Sequence, residues 1–87
     1  DCIFASSDLI AIRLMQVAKK SGVSLSRDVL IFGFDDIDMA EYVNLTTINQ
    51  GLDESGKIAS ELLLERLRNP NREVRNVLLP LKLVVRN

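Results

Sequence analysis

Val29-Leu30-Ile31-Phe32-Gly33-Phe34 is a near-continuous apolar run that ends on two carboxylates, Asp35-Asp36. A run without polar alternation predicts a strand buried on both faces, as in a parallel sheet. Upstream, Cys2-Ile3-Phe4-Ala5 reads as another short buried strand, with Cys2 as a small buried hydrophobe. Between the two lies a helix. Ser6 and Ser7 are N-cap candidates, Asp8 suits the first turn, Lys19 and Lys20 suit the last, and Gly22 ends it. Its polar residues Arg13, Gln16 and Lys20 form one narrow stripe, while Leu9, Ile10, Ile12, Leu14, Met15 and Val17 cover much of the rest. A helix this apolar is expected to bury more than one face. Strand, helix and strand in about 30 residues make a βαβ unit with a right-handed crossover.

Working outward, residues 23–28 read as a polar connector and residues 35–44 as a loop or short helix. Leu45 to Asn49 is a short extended segment carrying β-favouring Thr46, Thr47 and Ile48. A second helix is predicted from Asp53 to Arg68, with Ile58, Ala59, Leu62, Leu63 and Leu67 on one face and Asn69-Pro70-Asn71 as its stop. The tail from Asn76 to Arg86 reads as one or two strands broken at Pro80, which cannot donate to a ladder. The fold class is therefore α/β: a partial open parallel sheet with flanking helices.

Composition narrows the function. The chain has 87 residues, 47% of them apolar, which excludes a disordered tail. Eleven Lys and Arg against twelve Asp and Glu leave a net charge of −1, arguing against direct nucleic-acid binding. With no histidine and a single cysteine, there is no zinc-ligand set, no internal disulfide and no Ser-His or Cys-His hydrolase arrangement. The lone thiol fits a reducing, cytoplasmic setting. No apolar run is long enough to cross a bilayer. The chain opens on Asp1 and enters a strand-like run without lead-in, so it is expected to be a piece of a longer protein.

In open α/β sheets, ligands bind beyond the carboxyl ends of the strands. Ser6-Ser7-Asp8 follows the first strand and Asp35-Asp36 the second, and parallel strands bring both clusters to one edge. An ionised carboxylate accepts hydrogen bonds from adjacent hydroxyls, the pattern a sugar presents. Against this, Asp8 and the serines serve equally as helix-start residues, and Asp36 as a turn residue. The Asp35/Asp36 pair also fits a Mg²⁺-dependent enzyme or phosphoacceptor domain, although neither a third ligand nor a placed lysine is evident.

The ordered set Phe4-Ala5-Ser6-Ser7-Asp8-Leu9-Ile10-Ala11, Ser21-Gly22-Val23, Asp28-Val29 and Ile31-Phe32-Gly33-Phe34-Asp35-Asp36 resembles the lactose-repressor/galactose-repressor family of bacterial regulators. The resemblance continues through Leu45-Thr46-Thr47-Ile48-Asn49-Gln50, Gly56-Lys57-Ile58-Ala59, Leu78-Leu79-Pro80 and Leu83-Val84-Val85-Arg86. It implies a periplasmic-binding-protein-like (type I) core, of which this chain is a C-terminal lobe fragment, with the DNA-reading headpiece outside it. In those terms residues 1–50 form the lobe's βαβ unit and hinge strand, 51–70 a helix crossing to the N-terminal lobe, and 71–87 the returning strands.

The resemblance further implies that Asp35 contacts a small-molecule effector, commonly a sugar, and that Ser7, where relatives often carry Asn, faces it. Ile12, Met15, Gln16 and Tyr42 match positions of a homodimer contact. Operator DNA is met only through the headpiece, and neither enzymatic activity nor a cofactor is implied. A free sugar-binding protein is the lesser alternative. The chain departs from the family in having Asn44 where a proline usually precedes Leu-Thr-Thr, and in a loop from Asp36 to Leu45 about two residues short.

Overall fold

The computed structural model describes residues 1–25 and 27–87; Ser26, within the expected 23–28 connector, lies outside the described residues. The elements run β1 (Cys2–Phe4), α1 (Asp8–Lys20), β2 (Leu30–Phe32), α2 (Asp38–Tyr42), β3 (Thr47–Asn49), α3 (Leu52–Arg68) and β4 (Lys82–Val84). Two compact units result: residues 1–50 with 81–87, and residues 51–80.

In the first unit β1 and β2 pair in parallel, Cys2 opposite Leu30 and Phe4 opposite Phe32. Parallel bridges from Phe32 to Thr46 and from Asp35 to Asn49 carry the pairing on towards β3. β1 and β2 form one two-stranded parallel sheet and β3 and β4 a second, antiparallel one, with Ile48 opposite Leu83. Of the expected tail strands, only Lys82–Val84 pairs; residues 76–81 form no strand.

Helices α1 and α2 end in the same way. Past α1, Gly22 adopts φ 77°, its N–H donating to the Lys19 carbonyl and that of Val23 to Ala18. Past α2, Asn44 adopts φ 56°, its N–H donating to Glu41 and that of Leu45 to Ala40. A proline at position 44 could supply neither the positive φ nor the N–H, so Asn44 belongs to this helix stop.

The core of this unit is built from Ala5, Ala11, Ile31, Ala40 and Leu45, with Ile12, Leu14, Met15, Leu25, Ile37 and Val43 packed around it. Small residues do the close packing of α1: Asp8, Ala11 and Ala18 are its buried positions, spaced as one helix face. Leu9, Ile10 and Val17 stay exposed, so α1 buries one face here rather than more than one. The same correction applies to β2. Ile31 is 2% exposed but Leu30 is 52% exposed, because α1 and α2 supply core residues to one side only. Cys2 shares the open side through its pairing with Leu30, and it is exposed rather than buried. On that side Phe4 packs against Phe32 at 4.9 Å between ring centroids and edge-on to Phe34 at 6.5 Å.

In the second unit α3 has no fully buried residue. Ile58 and Leu62 are half-buried and, with Ser55, Ala59, Val77 and Leu79, line a small cavity of about 140 Å³. Arg66 ties down the turn after α3 by donating to the carbonyls of Pro70 (3.0 Å) and Arg72, while Glu65 pairs with Arg72 and Arg75. No helix among the described residues is long and apolar enough to cross a membrane.

Candidate functional site

The carboxyl ends of β1 and β2 meet, as the parallel pairing requires. The Asp8 N–H donates to the Phe34 carbonyl at 3.0 Å, and Asp35 N–H to Ile48 at 2.9 Å, so the loops after β1 and β2 and the end of β3 form one rim. Three carboxylates lie on it, each with different hydrogen-bond partners.

Asp8 is fully buried. Its Oδ2 accepts from the Ile37 N–H at 2.9 Å and its Oδ1 from the Thr47 hydroxyl at 2.5 Å. Asp36 is mostly buried and accepts from Asn49 Nδ2 at 2.9 Å and from Arg86 Nη2 at 2.8 Å. The Asn49 hydrogen bond, then the hydrogen bond and charge of Arg86, hold its carboxyl below the usual range against the opposing effect of burial. Arg86 also donates to the Leu45 carbonyl at 2.9 Å, which fixes the guanidinium at both ends.

Asp35 differs from both. It is half-buried, its Oδ1 accepts from Gln50 Nε2 at 2.5 Å, and no partner among the described residues engages Oδ2. One carboxylate oxygen is thus held and the other is available to a hydroxyl donor. Ser7 sits on the same rim as the N-cap of α1, its Oγ accepting from the Ile10 N–H at 3.3 Å. Asp35 and Ser7 are therefore brought to one edge. A metal reading of the Asp35/Asp36 pair meets an obstacle in the geometry, since both Asp36 oxygens are already taken by Asn49 and Arg86.

The four positions expected at a subunit contact are divided. Ile12 and Met15 are half-buried against the core of their own chain, whereas Gln16 is exposed and Tyr42 is 80% exposed. A larger open cavity of about 470 Å³ is lined by Met15, Lys19, Leu25, Ile31, Val43 and Asn44 among others, and by none of the three rim aspartates.

Gln50, Asn49, Thr47 and Arg86 enter the site from β3, its end and the segment after β4. Sequence alone does not single them out, because their partners depend on strand register. Arg86 carried one usable signal, a lone cation directly after the apolar Leu83-Val84-Val85.

The profile of periplasmic binding protein-like domains matches residues 1–87, the whole chain. The chain belongs to that family. Within it, the ribose operon repressor of Haemophilus influenzae is 40% identical over 86 residues, covering 97% of this chain and 26% of the repressor. The transcriptional repressor PurR of Vibrio parahaemolyticus is 37% identical over 87 residues, covering 98% and 26%. Among solved structures, a LacI family transcriptional regulator from Enterococcus faecalis with bound ribose superposes with a TM-score of 0.95 at 38% identity, covering 98% of this chain and 33% of that one. The periplasmic binding protein-like chain described here spans about a quarter of the length of these curated relatives. The resemblance carried by its motifs is to the effector-binding region of LacI-family regulators, and it extends over nearly the whole chain.

Proposed function

We propose that this chain is part of the effector-binding core of a DNA-binding transcriptional regulator, in which Asp35 accepts hydrogen bonds from the hydroxyls of a sugar or sugar derivative. The observation that carries this reading is the Asp35 carboxylate, held at one oxygen by Gln50 and open at the other on the ligand edge of an α/β sheet. The ribose bound to the Enterococcus relative supports the ligand class. Ser7 lines the same edge. Residues 1–50 and the end of the chain belong to the C-terminal lobe, residues 51–70 cross to a second lobe, and Leu45 to Gln50 is the crossing. Effector binding shifts the equilibrium between open and closed lobes, and with it the spacing of two DNA-reading headpieces. Ile12, Met15, Gln16 and Tyr42 contribute to the homodimer. Such a regulator acts in the cytoplasm, on operator DNA, without catalysis.

Thermal unfolding of the full-length protein tests this against the enzyme reading. A ligand that binds only the folded state raises the midpoint. A sugar such as D-ribose is expected to raise it and Mg²⁺ to leave it unchanged; the reverse pattern contradicts the proposal.

A further inference from the structure

Asp35 and Asp36 are consecutive non-glycine residues at φ 121° and φ 58°. A side chain in this region crowds its own backbone, so such a pair persists only where its surroundings impose it. The surroundings are specific. Three successive N–H groups each find a fixed acceptor: Asp35 the Ile48 carbonyl at 2.9 Å, Asp36 the Thr47 hydroxyl at 3.3 Å, and Ile37 the Asp8 carboxylate at 2.9 Å. The two side-chain acceptors are joined, since the Thr47 hydroxyl donates to Asp8 at 2.5 Å. Both residues are fully buried. The backbone makes room for them: a Cβ at Gly33 would overlap the Asp8 carboxylate and lie 3.1 Å from its Cα.

We propose that Asp8 and Thr47 are positioning residues, a hydrogen-bonded pair that imposes the left-handed turn at Asp35-Asp36 and so aims the Asp35 carboxylate at the sugar; this rests on the reading of Asp35 as the sugar contact. The Thr47 hydroxyl accepts the Asp36 N–H and donates its own O–H to Asp8, which accepts the Ile37 N–H. The pair links β3, the start of α1 and the loop after β2, the three parts that must stay in register for Asp35 to face a ligand. The Asp8 carboxyl is held by one N–H, one O–H and the amino end of α1.

The test is made on the isotope-labelled full-length protein. In the wild type, a scalar coupling across the hydrogen bond is expected between the Ile37 amide nitrogen and the Asp8 carboxylate carbon; its absence overturns the pair without any variant. Thr47→Val keeps the volume and removes the hydroxyl. Amide exchange at Asp36 and Ile37 is expected to quicken at least tenfold, Gly33 exchange to stay as it was, and the affinity for D-ribose to fall at least tenfold. Thr47→Ser is expected to restore all of these. Unchanged exchange at Asp36 and Ile37, or a uniform acceleration that Thr47→Ser does not correct, rejects the positioning role. If Thr47→Val loses its turn but keeps full ribose affinity, the aiming of Asp35 is rejected. If instead the wild type does not bind D-ribose, or Asp35→Asn binds it fully, the sugar reading fails, and the aiming with it; coupling and exchange then decide the imposed turn alone.

Discussion

Arg86 and Asp36 lie fifty residues apart in sequence and meet at 2.8 Å between Nη2 and Oδ1, each side chain less than a fifth exposed. The contact closes the chain: Arg86, two residues past β4, grips the loop that carries Asp35. A charge-assisted hydrogen bond of this kind contributes about 1.5–3 kcal/mol. Arg86→Met is expected to lower the unfolding free energy of the full-length protein by about that amount in urea titrations at pH 7. A variant as stable as the wild type contradicts the role given to Arg86.

The same loop sets a pH dependence. Asp36 has a folded-state pKa below its ordinary value, lowered chiefly by the Asn49 hydrogen bond and then, against the opposing effect of burial, by Arg86. A carboxyl depressed in this way stabilises the fold fully above about pH 4 and loses that contribution as pH falls through the folded value. Urea midpoints measured from pH 7 down to pH 3 are expected to drop less steeply below pH 4 in Arg86→Met and in Asn49→Ala than in the wild type. Parallel curves for all three proteins argue against Asp36 as the titrating group.

Gly33 has no room for a side chain beside Asp8. Overpacking a tight site costs roughly 1–3 kcal/mol, and here the obstruction includes backbone. Gly33→Ala is expected to destabilise by at least the upper part of that range, read as a lower urea midpoint. Gly56→Ala, with open space at its Cβ and a helical setting that favours alanine, is the control and is expected to be neutral or slightly stabilising.

Leu63, Leu64 and Leu67 on α3 are each at least half exposed. Leaving such side chains in water forgoes roughly 1.5–3 kcal/mol apiece. The 87-residue chain on its own is therefore expected to self-associate at micromolar concentration in sedimentation velocity, and Leu63→Glu to reduce that association. A stable monomer with and without the substitution contradicts this.

The parts of this architecture written in local signals were legible in the sequence. Ser7 as N-cap, Lys19 and Lys20 in the last turn and Gly22 beyond it bound α1 without reference to the rest of the chain. The joint edge of the Ser7 and Asp35 loops followed from parallel pairing. What was not legible depended on partners distant in sequence. The apolar runs named β1 and β2 but not which side would be covered, so Cys2 and Leu30 were expected inside and lie on the open face. The antiparallel return of β4 brings Arg86 to Asp36, and nothing in Leu83-Val84-Val85-Arg86 states its direction. Asp8 satisfies the helix-start pattern as well as any aspartate does, and its second task emerges only when Thr47 and Ile37 arrive beside it.

Asp35 is the carboxylate proposed to receive the sugar. Isothermal titration of the full-length protein with D-ribose, wild type against Asp35→Asn, tests it most directly, because asparagine keeps the shape and removes the charge. Losing one charge-assisted hydrogen bond of about 1.5–3 kcal/mol corresponds to a roughly ten- to hundredfold weaker dissociation constant. That weakening, with an unfolding midpoint close to the wild type's, is the result expected. Equal ribose affinity in the two proteins contradicts the account.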